Sequence, residues 1–421
     1  MPVPKPPKLL GESTSLTFKA SVKRAANAWS SVRILFLTDY STLVGGAETG
    51  TLILRDGLRE LGHEARILST TPIPGTGPSF ADYQCFGTVG RGRTLLQTLN
   101  PSAYLTLKRA LSDFRPDIVH VRMFLTQLSP LILPLLKEVP SVLHVVWCRA
   151  VCPIATKILP SGEPCMVRWG LPCWTNGCLP MRDFLPLMLQ MHLWERWSGA
   201  FDRVIANSFA IRKDLQEHGF GEVDVVWNGV PVLEQREPLR EPATIAFAGR
   251  LVRQKGCDVL LNAFSQMENS DSRLIVAGDG PERSNLEELA KAEGIRDRVT
   301  FTGHLSRDDL EGVLQEAWVQ VVPSRSSEGF GYVAAEAFMR GTMVVGSACG
   351  GLEEVLRSSP SGLVVAPGDA LELSRVLNPL LRDRESTDRT GLSGREFALE
   401  RLTREHFVSE VLSVYNSIAM R

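Results

Sequence analysis

The sequence predicts an α/β protein built of two doubly wound, Rossmann-like domains facing a central cleft. Three observations predict it. At 421 residues the chain is long for one compact core, and two domains of ordinary size fit better. Short apolar, β-branched runs alternate with amphipathic helical stretches, the signature of parallel sheets covered on both faces. Glycine-rich turns follow several of those runs, at the strand ends where such sheets bind ligands.

Residues 1–30 are rich in Pro and Lys, then weakly helical, and read as an extension outside the core. The first domain is assigned to residues 31–227 and opens on the strand pattern of 32–38. Gly45-Gly46-Ala47-Glu48 then starts an amphipathic helix that ends near Leu61-Gly62. Further strand patterns fall at 65–68, 117–121, 141–146 and 203–206. Residues 228–241 are polar and Pro-interrupted, a break that opens a second domain at 228–393. Its strands fit 244–248, 273–277, 299–302, 319–322, 343–345 and 362–365. Its helices fit 256–267, 281–292, 307–317, 331–340 and 370–381. A last helical segment, 394–421, is expected to return towards the first domain.

A formal net charge of -1 gives no general reason to bind nucleic acid. The opening MPVPKPPKLLGESTS lacks the apolar core and cleavage site of a secretory signal, and no run approaches the roughly 20 apolar residues of a spanning helix. A cytoplasmic protein is expected, with a peripheral contact to the inner face of the membrane. Residues 182–203 mix large apolar side chains with basic ones, which suits a packed core helix or an interfacial one. Eight cysteines are present, five of them within an insert at about 148–180: Cys148, Cys152, Cys165, Cys173 and Cys178. With no C-x-x-C pair they read as ordinary thiols, a structural metal or disulfide being the alternative.

The most informative stretch is PSRSSEGFGYVAAEA, from Pro323. It follows the apolar run 318–322 and sets Glu328 and Glu336 on either side of a glycine turn that opens an Ala-rich helix. Backbone N–H groups at a helix N-terminus attract anions. Eight helical residues span about 12 Å, close to the reach from a nucleotide's ribose to a sugar on its diphosphate. Two acceptor carboxylates with amides between them suit a nucleotide sugar. Gly249-Arg250-Leu251-Val252-Arg253-Gln254-Lys255-Gly256 also links a strand to a helix, and Arg250 and Lys255 are placed to reach a diphosphate. Alone they would be two solvated surface cations. Gly329, Phe330 and Gly331 begin a match to the G-x-G-x-x-A dinucleotide fingerprint, but Glu328 beside the turn would repel a pyrophosphate held that way. Gly45 and Gly46 could bring backbone close to a phosphate or form a plain tight turn. His120 and His144 end first-domain strands; alone, a strand-end His is more often a hydrogen-bonded structural residue, but here both are expected to face the inter-domain cleft. No HExxH or D-x-D occurs, so no dedicated metal site is expected.

Taken together these motifs resemble the retaining GT-B glycosyltransferases of family four. The resemblance covers nearly everything from Val32 onward. It rests on GGAE at Gly45, HVR at His120, GRLVRQKG at Gly249, GDGP at Gly278, FTGHL with His304, the Glu328/Glu336 pair, and Gly350-Gly351. The resemblance implies that Arg250 and Lys255 hold the donor diphosphate, that Glu336 binds ribose hydroxyls, and that Glu328 faces the donor sugar. It also implies that His144 lies beside that sugar, and that Gly45 and Gly46 line the phosphate pocket with Gly329, Phe330, Gly331 and His304 nearby. HVR stands where HVH is commoner, and His144 is followed by Val145 where relatives have Asp or Thr.

The expected reaction moves a hexose-type sugar from a nucleotide diphosphate, UDP or GDP, to an acceptor hydroxyl with retention and without a metal or other cofactor. The acceptor is a glycan, a lipid-linked sugar or a small metabolite. A nucleotide-sugar epimerase or hydrolase on the same architecture, or a non-catalytic sugar-binding protein, is the alternative.

Overall fold

Short β-branched strands buried on both faces set the architecture of the computed structural model. It describes residues 31–419 apart from Val44, Pro74, Thr76, Arg91, Pro164, Asn269 and Ser270, so the extension expected at 1–30 lies outside the described residues. The chain divides into two units, one of residues 1–229 with 404–421 and one of residues 230–403.

The first unit holds a seven-stranded sheet, all parallel, in the order β3-β2-β1-β4-β5-β6-β7. The strands are β1 (Arg33–Leu37), β2 (Glu64–Thr70), β3 (Tyr83–Cys85), β4 (Ile118–Val121), β5 (Ser141–Val145), β6 (Arg203–Ala206) and β7 (Asp224–Val225). Its helices start where local chemistry satisfies free N–H groups. Asn100 accepts from the Ala103 amide ahead of Pro101, and Ser208 accepts from Ile211. Leu35, Leu37, Val119 and Val121 pack in one core layer, and Ile34, Phe36, Ile67 and Ile118 in the other. Alternate side chains of each strand thus supply both faces.

The second unit holds six parallel strands in the order β10-β9-β8-β11-β12-β13. They are β8 (Thr244–Ala248), β9 (Arg273–Ala277), β10 (Val299–Gly303), β11 (Val319–Val322), β12 (Met343–Ser347) and β13 (Gly362–Val365). In both sheets the chain reverses its direction of winding beside the first strand, between β1 and β4 and between β8 and β11. Such reversal points leave a crevice at the carboxyl ends of the strands.

The edge strands β3 and β7, of three and two residues, are too short for an apolar period and were not expected from sequence. Helix Gly351–Ser358 was not expected either, because Gly350-Gly351 reads as a turn; Gly350 sits at φ +59° just before it. The segment expected at 394–421 is two helices, Arg384–Arg401 and Arg404–Ala419. Only the second belongs to the first unit, where Phe407, Val411 and Tyr415 pack on the layer of Ile34 and Phe36.

Candidate functional site

In the second unit the loops after β8, β9, β11 and β12 are laced together by backbone hydrogen bonds. Leu251 N–H donates to Asp279, Arg325 to Gln254, and Gly351 to Glu328, at 2.9, 2.8 and 2.7 Å. Two glycines permit this approach. A Cβ on Gly256 would lie 1.9 Å from the Pro323 carbonyl oxygen, and one on Gly278 would lie 1.9 Å from that of Gly249. Both have positive φ, so a larger residue would clash and be strained as well. The motifs GRLVRQKG, GDGP and PSRSSEG therefore form one surface.

Within it Lys255 Nζ donates to Glu328 Oε1 at 2.5 Å, and Ser324 Oγ donates to the same oxygen at 2.6 Å. The two side chains are 35% and 18% exposed, so a ligand can reach this pair from solvent. Arg250 is exposed, and among the described residues its side chain has no ion pair. Glu336 lies one turn into helix Tyr332–Arg340, whose N-cap is Gly331 at φ +94°. Burial raises the Glu336 pKa, and Arg307, 3.2 Å away, pulls it back. Phe330 is buried beneath the turn, in edge contact with Tyr332. His304 is exposed just after β10. The structure thus sets Arg250, Lys255, Glu328, Gly329, Phe330, Gly331 and His304 on loops that follow strands of one sheet, with Glu336 on the helix that one of those loops opens. Sequence reasoning missed Ser324, Arg307 and the Arg325–Asp258 ion pair at 2.7 Å; Arg307 and Arg325 act on partners remote in sequence, and Ser324 on Glu328 four residues on through the shape of the turn.

The first unit differs. Gly45 caps helix Gly46–Glu60, and its N–H donates to Glu48 Oε2 at 2.9 Å. Burial pushes Glu48 up to about 7, with the Gly45 hydrogen bond opposing and the charge of Asp39 adding. Asp39, fully buried after β1, accepts from Thr126 N, Thr126 Oγ1, Gln127 N and Leu128 N at 2.8, 2.6, 2.8 and 2.8 Å. It clamps the loop after β4 to the loop after β1, and nothing in its sequence setting signals this.

His144 requires a correction. Expected to face an open cleft, it is 0% exposed, as is His120. His120 Nε2 lies 3.3 Å from His144 Nδ1, and His120 Nδ1 lies 2.7 Å from the Tyr415 hydroxyl. Phe407 covers the His144 ring. Burial, then the Arg122 charge, holds both pKa values well below the ordinary imidazole value, so both rings are neutral. Helix Arg404–Ala419 is the reason: it supplies Phe407 and Tyr415 over the strand ends. The eight cysteines are free thiols. Among the described residues no group of three or more His, Cys, Asp or Glu side chains could hold a metal ion.

Comparison with known proteins matches this arrangement. The family model for glycosyl transferases group 1 covers residues 233–397, and that for a glycosyl transferase 4-like domain covers 45–229. The two tile the two units, and the chain belongs to the group 1 glycosyltransferases of GT-B fold. It is 33% identical to an uncharacterized glycosyltransferase of Methanocaldococcus jannaschii over 42% of this chain, spanning 45% of that relative's length. It is 26% identical to a glycogen synthase of Mycobacterium tuberculosis over 87% of this chain and 90% of the relative. Anabaena HepE in complex with UDP-glucose has the same fold, with a TM-score of 0.66 and 20% identity, covering 92% of this chain and 100% of HepE.

Proposed function

We propose that this chain transfers a hexose-type sugar from a UDP or GDP sugar to an acceptor hydroxyl, with retention and without a divalent metal. One observation carries the reading: Lys255 and Glu328 are paired on laced loops beside the exposed Arg250, at the reversal point of the second sheet. In the reaction the bond from the anomeric carbon to the diphosphate oxygen breaks. A bond to the acceptor oxygen forms on the same face, and the acceptor proton passes to the leaving diphosphate. Arg250, Lys255 and the amides around Gly329 and Gly331 meet the charge that develops on that leaving group. Glu328 pairs with Lys255, and an arriving diphosphate takes over the lysine and frees the carboxylate to face the sugar. Glu336 accepts from ribose hydroxyls, and His304 lies beside the same pocket. The UDP-glucose bound by HepE supports a uridine donor. The acceptor belongs to glycan, glycolipid or glycosylated-metabolite synthesis.

The test compares wild type with Glu328→Ala by thermal shift with UDP and GDP, with and without EDTA, and by release of nucleotide from the donor sugars. Wild type is expected to bind one nucleotide regardless of EDTA and to release the sugar first as the donor's own anomer. Glu328→Ala is expected to keep the nucleotide shift and lose the release. Unchanged release by the variant overturns the assignment of Glu328.

A further inference from the structure

The backbone of Glu328 is fixed by the loop after β12, while its carboxylate is held by two donors of unlike character. Gly351 N–H donates to the Glu328 carbonyl at 2.7 Å, and Glu328 N–H donates to that of Cys349 at 3.4 Å. Gly350 between them has no room for a side chain: a Cβ there would lie 2.7 Å from the Glu328 carbonyl oxygen. The torsions of the glutamate side chain still leave the carboxylate able to swing on that fixed backbone.

Lys255 Nζ and Ser324 Oγ both donate to Oε1, and among the described residues Oε2 makes no hydrogen bond. Lysine is a long, partly exposed arm, and sugar transfer calls it away to the diphosphate. Ser324 is the opposite. It is 0% exposed, it follows Pro323 at the end of β11, and its short side chain loses little freedom when fixed. Its carbonyl accepts from Cys349 Sγ at 3.1 Å. The next residue, Arg325, is tied by its N–H to Gln254 and by its guanidinium to Asp258. A hydroxyl so placed stays where it is when the lysine leaves.

We propose that Ser324 is the positioning residue for Glu328. Its hydroxyl keeps Oε1 turned inward when the diphosphate takes Lys255, so Oε2 is the oxygen presented to a hydroxyl of the donor sugar. This role rests on Glu328 facing the donor sugar, as proposed above. A carboxylate already aimed needs no ordering at the transition state. Removing the hydroxyl leaves Arg250, Lys255 and the loop amides to bind the donor, so the loss falls on kcat and not on KM.

The test measures nucleotide release from UDP-glucose and GDP-mannose by the full chain over a range of donor concentrations, beside thermal shift with UDP and GDP. Ser324→Ala leaves Lys255 on Glu328 and should melt close to wild type. It is expected to lower kcat about tenfold, with KM for the donor within about twofold and the nucleotide shift kept. Ser324→Thr keeps a hydroxyl and Ser324→Val puts a methyl in its place, so the two differ in the hydrogen bond and hardly in bulk. Ser324→Thr is expected to turn over at least about fivefold faster than Ser324→Val. Wild-type kcat in Ser324→Ala, beside an inactive Glu328→Ala, overturns the role of Ser324 alone. So does a loss confined to KM, or equal rates for Ser324→Thr and Ser324→Val. Glu328→Ala that releases nucleotide like wild type, or wild type that gives neither shift nor release, fails the transfer reading itself and this role with it.

Discussion

The two units wind their sheets alike and use the strand ends in opposite ways. In the second unit the ends carry charged side chains on laced loops, partly exposed and paired with one another: Lys255 with Glu328, Arg307 with Glu336. In the first unit the ends of β4 and β5 carry histidines sealed under Phe407 and Tyr415. The same topology thus yields a partly exposed, charged surface in one unit and a packed polar core in the other. Position at a strand's carboxyl end is not enough to assign a role. What lies above the strand decides it.

The largest effect that tests this contrast is at Lys255. Lys255→Ala should lower turnover about a hundredfold or more, as loss of a donor aimed at developing charge does, with the melting temperature nearly unchanged. Equal loss of stability and turnover would erase the distinction between the units. His144→Ala should behave the other way. It opens a cavity and orphans His120 Nε2, costing about 2–4 kcal/mol in denaturant unfolding of the first unit. The thermal shift with nucleotide should survive, and loss of that shift with stability intact would return His144 to the donor site.

A third effect is pH-dependent. Glu48 has its folded pKa raised to about 7, so its folded form holds a proton that the unfolded form has lost above about 4.5. Its contribution is present at low pH and is lost as pH rises from about 4.5 through 7, by up to about 3 kcal/mol. Glu48→Gln keeps an acceptor for the Gly45 N–H and carries no charge. Relative to wild type it should gain stability between pH 5 and pH 8, measured by urea unfolding. A constant difference across that range would sink the assignment. The smallest effect is at Arg307, whose pair with Glu336 is half-exposed. Arg307→Ala should move stability by less than about 0.5 kcal/mol. A large loss of stability there would show the second unit's pairs to be structural as well.

Sequence made the second unit more legible than the first for a physical reason. Its strands 244–248, 273–277, 319–322 and 362–365 coincide with those observed, being short, mostly apolar runs between turns. Its candidate site residues sit in short loops and the helix that one of them opens, so their spacing along the chain carries their spacing in space. Glu328 and Glu336 are read together because one turn and one helix join them. In the first unit the deciding contacts are distant in sequence: Tyr415 on His120, the loop at 126–128 on Asp39. Only the fold brings them together, so the burial of His144 had no local sign.

The backbone leaves the first unit at Gly229 and returns at Arg404. At that crossing Val230 N–H donates to the Leu402 carbonyl at 2.8 Å, and Val230 bridges Thr403 in parallel. The second unit therefore begins and ends at one point, as an inserted domain does. Its ends are already joined by hydrogen bonds, so cutting it out costs little geometry and new ends could be opened in its exposed loops. Residues 230–403 are in this sense a cartridge: a module that can be excised, permuted or exchanged between relatives at a single seam.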